Sequence, residues 1–131
     1  EARALAKRIG VDDLWLKTAQ IYDPKDNHAL IPTQEKYSRY RRNASGMWEV
    51  KNALDDHCWK MWNSCVITWD GRVVPCCFDK DAHHVLGDLS KQSFREVWNS
   101  DAYNAFRSTL LRSRSDIEMC RNCSEGSPVW A

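Results

Sequence analysis

Long apolar runs are missing from this sequence. A membrane-spanning helix needs roughly 20 consecutive apolar residues, and nothing in these 131 residues approaches that, so no membrane partner is expected. An excess of charge of one sign is missing too. Nineteen Lys and Arg oppose eighteen Asp and Glu, for a net charge of +1. No broad field therefore draws the chain to nucleic acid. The run Arg39, Arg41, Arg42 is short and reads as a solvated face. The first eight residues, Glu-Ala-Arg-Ala-Leu-Ala-Lys-Arg, lack the apolar stretch of a secretory signal, which points to a cytoplasmic location. An initiator Met is also absent, so an excised fragment or processed chain is expected. Neither internal repeats nor low-complexity segments are present, which removes the solenoid and linker classes. The length leaves room for one compact domain, or one domain with an appended piece.

Cysteine, by contrast, is plentiful: six in a chain without an export signal. A reducing cytosol disfavours structural disulfides. Clustered cysteines in such a setting point to metal binding or catalysis, and their spacing decides which.

Along the chain, Ala2, Leu5, Ala6 and Ile9 recur with a helical rhythm, and Gly10 follows as a natural stop. Residues 13–22 read as a strand, with Leu14, Leu16 and Thr18 sharing a face. A helix, a glycine and an apolar strand make one unit of a β/α architecture, and one unit alone closes no sheet. Residues 25–57 form a polar connector carrying one short helix at 34–41 and a turn at Asn43-Ala-Ser-Gly46. From Cys58 onward the pattern is denser. Two β-rich runs, 65–69 and 72–76, flank Asp70-Gly71, a strong hairpin signal. A two-residue turn would pair Trp69 with Arg72, Ile67 with Val74 and Cys65 with Cys76. Ser93-Phe-Arg-Glu96 is a capping box opening a helix that ends near Trp98, and Asn99-Ser100-Asp101 starts another. Trp98, Tyr103 and Phe106 read as core. The fold class expected is α+β: a β-hairpin followed by helices.

Cys120-Arg-Asn-Cys123 is a Cys-x-x-Cys pair, which alone fits redox motifs and zinc knuckles equally. A redox dithiol opens a helix within a βαβ pattern, and none surrounds it. The signal lies in the combination. Cys58 is followed by twelve residues, Gly71, four residues and Cys76, and the pair lies 44 positions further on. Four thiolates drawn from three segments suit a [4Fe–4S] cluster or a structural zinc ion.

The pattern Cys58-x12-Gly71-x4-Cys76 with distant Cys120-x2-Cys123 resembles the SPASM/twitch extension of radical S-adenosylmethionine enzymes. Leu86-Gly-Asp-Leu89, Ser93-Phe-Arg-Glu-Val-Trp98 and the run from Ile67 to Asp79 resemble it also, and the likeness extends over residues 58–126. The resemblance implies that Cys58, Cys76, Cys120 and Cys123 ligate one auxiliary [4Fe–4S] cluster. Extra cysteines for a second cluster are not evident, which fits the one-cluster twitch version. Residues 1–24 then resemble the last helix and strand of a partial (β/α) barrel, residues 25–57 a connector, and 58–131 the cluster domain. The Cys-x3-Cys-x2-Cys motif of the catalytic cluster is absent, so this chain alone is not expected to perform radical chemistry.

Within that resemblance Gly-x4-Cys spacing selects Cys76, leaving Cys77 as a small buried apolar side chain. Cys65 stands as a bystander, an alternative ligand, or a disulfide partner once the cluster is lost. His83 and His84 read as an exposed loop pair, and His57 as a residue adjoining Cys58. The parent is expected to be a radical S-adenosylmethionine oxidoreductase with a second [4Fe–4S] cluster and S-adenosylmethionine in its barrel. The auxiliary cluster would relay an electron while a peptide or small molecule is oxidised. The implied partners are the chain's own barrel and a donor such as flavodoxin or ferredoxin. Two other classes compete: a structural zinc module built on the same four thiolates, zinc also being an aerobic substitute for the cluster, and a partner-binding module exposing Trp15, Trp48 or Trp130 as a patch.

Overall fold

The computed structural model describes residues 1–16, 19–21, 29, 31–51 and 54–123. The expectations for Thr18, Tyr22 and Trp130 lie outside these residues. Helix α1 (Ala2–Ile9) ends where glycine allows it: Gly10 takes φ 72° and its N–H donates to the Ala6 carbonyl at 3.0 Å. None of its residues is buried. Leu5, Ile9, Val11, Trp15 and Leu16 all stand exposed. Over 13–22 the described residues join no ladder, because an extended segment needs a neighbouring strand to hydrogen-bond.

The connector corrects the expected helix at 34–41. A single 3-10 turn, Glu35–Tyr37, is followed by a hairpin of β1 (Tyr40–Arg42) and β2 (Trp48–Val50). Tyr40 pairs with Val50 and Arg42 with Trp48. The turn at Asn43 is a side-chain device: its Oδ1 accepts the N–H groups of Ser45 and Met47, both at 3.0 Å. Arg41 pairs with Glu49 across the strands, and the Arg42 guanidinium lies 4.2 Å from the Trp48 ring. This is the solvated basic face that composition implies. Ile21, Ile31, Tyr40 and Val50 bury a small core behind it.

Residues 58–123 form the larger unit. Short helix α2 (Lys60–Asn63) precedes β3 (Val66–Ile67), β4 (Arg72–Val74) and β5 (Gly87–Asp88), which pair antiparallel in that order. Helices α3 (Phe94–Trp98), α4 (Asp101–Arg112) and α5 (Glu118–Arg121) complete an α+β unit. The β3–β4 register is one residue off the expected one. Val66 faces Val74 and Ile67 faces Val73, so the loop holds three residues. Gly71 occupies its left-handed position at φ 85°. Asp70 is tied down by the Thr68 hydroxyl at 2.5 Å and Arg72 Nε at 2.9 Å, which seats it inside the longer loop.

Two local devices fix the packing. Ser93 and Glu96 form the expected capping box, and Ser100 Oγ accepts the Tyr103 N–H at 3.2 Å. Gly87 lets β5 lie against α3: a Cβ there would meet Val97 Cγ1 at 2.4 Å. Met61, Val73, Leu86, Val97, Tyr103, Phe106, Leu110 and Ile117 close the core, and Cys58 and Cys120 are buried within it. The Arg107 guanidinium, 4.1 Å from the Tyr103 ring centroid and 4.6 Å from that of Trp98, donates to the Met61 and Trp98 carbonyls at 2.9 Å, tying α4 to α2.

Candidate metal centre

Three segments deliver the four cysteines. Cys58 stands two residues before α2, its carbonyl accepting the Met61 N–H at 3.1 Å. Cys76 follows β4, where its carbonyl accepts the Asp79 N–H at 3.1 Å. Asp79 is buried, and its carboxylate accepts the N–H groups of His83 and His84 at 2.8 Å each, which shapes the chain leaving Cys76. Cys120 lies in α5 and Cys123 just beyond it.

Cys58 and Cys120 are buried members of one core, and Cys76 packs against its edge. Burial pushes Cys120 up to about 12, and Cys76, Cys123 and Cys58 push in the same direction, with Arg114 opposing. Burial likewise pushes Cys76 up to about 11, with Cys123 and Cys77 adding to the rise and the Phe78 and Asp79 N–H groups opposing it. Thiols crowded in an apolar setting stay protonated until a cation displaces the protons. Cys58, Cys120 and Cys123 are all buried, and Cys76 is half-buried. A set of four soft sulfur donors fits iron–sulfur or zinc chemistry. Among the described residues, no group of three or more His, Cys, Asp or Glu is arranged to hold a single metal ion.

All six cysteines are free thiols. With the register shifted, the continued pairing sets Cys65 level with Pro75 rather than with Cys76. Cys65 is half-buried against the core, and burial pushes its thiol up. Cys77 is exposed, not buried as expected. The chain has left β4 and turns here, the Asp79 N–H reaching back to the Cys76 carbonyl, and Cys77 lies on the outside of that turn. His57 is exposed, and its carbonyl accepts from Arg114 Nη1 at 3.4 Å. His83 is exposed, while the half-buried His84 sets its ring edge-on to Phe106 at 5.6 Å. Of the tryptophans that a partner-binding module would expose, Trp15 is exposed and Trp48 is half-buried beside Arg42.

Two residues escape sequence reasoning. Arg114, in the 3-10 turn Arg114–Asp116, is only 3% exposed. Asn122, between the paired cysteines, accepts the Val50 N–H at 2.8 Å and donates to the Trp48 carbonyl at 3.1 Å. It thereby occupies the free edge of β2. A groove of about 550 Å³ opens on the connector between Ile31, Tyr40 and Trp48, and among the described residues no cysteine or histidine lines it.

Among known proteins, residues 58–124 match the family described as SPASM, an iron–sulfur cluster-binding domain. The S-adenosyl-L-methionine-dependent 2-deoxy-scyllo-inosamine dehydrogenase of Niallia circulans is 32% identical over 66 residues, covering 50% of this chain and 26% of the relative. This chain thus spans about a quarter of that relative's length. A crystal structure of selenomethionine BtrN in an open conformation is 31% identical and covers 53% of this chain and 33% of its own, with a TM-score of 0.49.

Proposed function

The chain belongs to the SPASM iron–sulfur cluster-binding family, and on that premise we propose that Cys58, Cys76, Cys120 and Cys123 ligate one auxiliary [4Fe–4S] cluster. The observation that carries this reading is that Cys58 and Cys120 are buried in one core with Cys76 packed against it, while Arg114 ties the Cys123 carbonyl to that of Cys120. A single zinc ion with Zn–S near 2.3 Å needs sulfurs roughly 3.7 Å apart. A cubane holds its ligand sulfurs considerably farther apart, so sulfur spacing in the loaded chain separates the two readings.

When bound, such a cluster supplies a one-electron acceptor or donor. The chain's own work is to hold it. Four thiolates leave no iron position open to substrate, which favours electron relay over substrate ligation. Burial of Cys58, Cys120 and Cys123 keeps water from most of the ligand set. The parent protein is then a radical S-adenosylmethionine oxidoreductase whose barrel carries a second cluster. Its substrate class is a peptide or small molecule, and the named relative, a dehydrogenase, favours oxidation of a small alcohol. Residues 1–24 belong to that barrel and 25–57 connect it to the cluster domain. The exposed apolar residues of 1–16 suit a segment packed against further protein. Among the described residues no helix is long and apolar enough to cross a membrane. A cytoplasmic site and a flavodoxin- or ferredoxin-type donor complete the proposal.

Anaerobic reconstitution with iron and sulfide tests it. The chain should take up about four iron atoms and gain a broad visible absorption band. A colourless chain that instead binds one zinc ion, with no sulfide, would establish the structural zinc reading.

A further inference from the structure

Arg114 spends all three guanidinium nitrogens on main chain. Nε donates to the Cys120 carbonyl at 3.2 Å, Nη2 to the Cys123 carbonyl at 2.9 Å, and Nη1 to the His57 carbonyl at 3.4 Å. Its own N–H donates to Asp56 Oδ1 at 2.6 Å. One residue therefore ties Asp56 and His57, which lead into Cys58, to the distant pair Cys120 and Cys123. Burying a guanidinium is costly unless its donors are satisfied. The carbonyls that satisfy this one belong to two cysteines of the set and to the neighbour of a third.

We propose that Arg114 is the positioning residue of the thiolate set: its planar fork presets Cys120 and Cys123 against Cys58, and its charge favours the reduced cluster. The second half rests on the cluster reading above. A cluster bound by four thiolates is anionic and gains one more negative charge on reduction, so a fixed cation nearby stabilises the reduced state. Lysine retains the charge, but its three donors sit on one compact nitrogen and lack the planar fork that spans these three separate carbonyls. The two halves of the proposal are therefore separable by substitution.

The full chain, loaded anaerobically, is compared with R114K and R114M for iron loss to a chelator and for the midpoint potential of the bound cluster. Both variants should shed iron about tenfold faster than wild type, the usual scale for groups that support metal ligands. The potential should move negative in R114M and stay near wild type in R114K. Wild-type iron retention in either variant overturns the positioning role. A negative shift of equal size in both variants overturns the charge role. If R114M does not fold, R114K still decides the first point. A wild-type chain that binds no iron defeats the cluster reading instead, and with it the charge role. The positioning role is then judged on the metal-free chain: alkylation of Cys120 and Cys123 should run about tenfold faster in R114K, and an unchanged rate overturns it.

Discussion

The connector hairpin and the cysteine unit use the same short strands and the same kind of side-chain-anchored turn, yet they fill their interiors differently. Behind β1 and β2 lie Ile21, Ile31, Tyr40 and Val50, an apolar group with no ligand in it. The core of residues 58–123 instead takes Cys58 and Cys120 among its buried members and packs Cys65 and Cys76 against its edge. A thiol contributes less buried apolar area than the Leu or Ile that would fill the same place. The first core is a packing solution. The second gives up packing to hold thiols in its interior, so on the cluster reading part of its stability is expected from what they bind. The two meet at Asn122, whose amide holds the β2 edge while its neighbours Cys120 and Cys123 face inward.

The sharpest way to break this contrast is to remove one donor. Replacing Cys58, Cys76, Cys120 or Cys123 by Ala should each abolish iron uptake, measured as iron and sulfide per chain. Cys77→Ala should leave it unchanged. Next in size is Tyr40→Ala, which empties the connector core and removes the hydroxyl that accepts the Ile21 N–H at 3.2 Å. It should cost about 3–5 kcal/mol of connector stability, read by hydrogen exchange at β1 and β2, while iron uptake persists. Gly87→Ala drives a methyl into Val97, whose β-branched side chain is stiff in a helix. A loss of about 1–3 kcal/mol in chemical denaturation of the metal-free chain is expected. The smallest effect belongs to Ser93→Ala, which removes a cap on α3 at about 1 kcal/mol and should leave both iron uptake and the connector untouched.

What sequence reveals here divides by range. The capping box of α3 and the Ser100 cap of α4 were legible because each is complete within four residues. The hairpin at Asp70-Gly71 was legible, but its register was not. A glycine with positive φ serves both two- and three-residue loops, and the choice fell to Thr68 and Arg72 holding Asp70. The connector hairpin was missed because strands of three residues carry no alternation to read, and their pairing depends on Asn43 and on distant Ile21 and Ile31. The cysteine spacing singles out Cys58, Cys76, Cys120 and Cys123, and the fold buries three of them and half-buries Cys76. Arg114 was invisible, since a basic residue in Leu-Arg-Ser-Arg-Ser-Asp reads as solvated surface. Its burial depends on carbonyls of His57, Cys120 and Cys123 that only the folded chain supplies.

The central claim is that four sulfurs from three segments surround one inorganic centre. Differential alkylation of the iron-loaded chain under anaerobic, native conditions, followed by peptide mapping, tests it most directly. The account predicts that Cys77 is labelled while Cys58, Cys76, Cys120 and Cys123 are all protected, and that chelating the iron exposes those four together. Labelling of Cys120 or Cys123 with the iron still bound would contradict it.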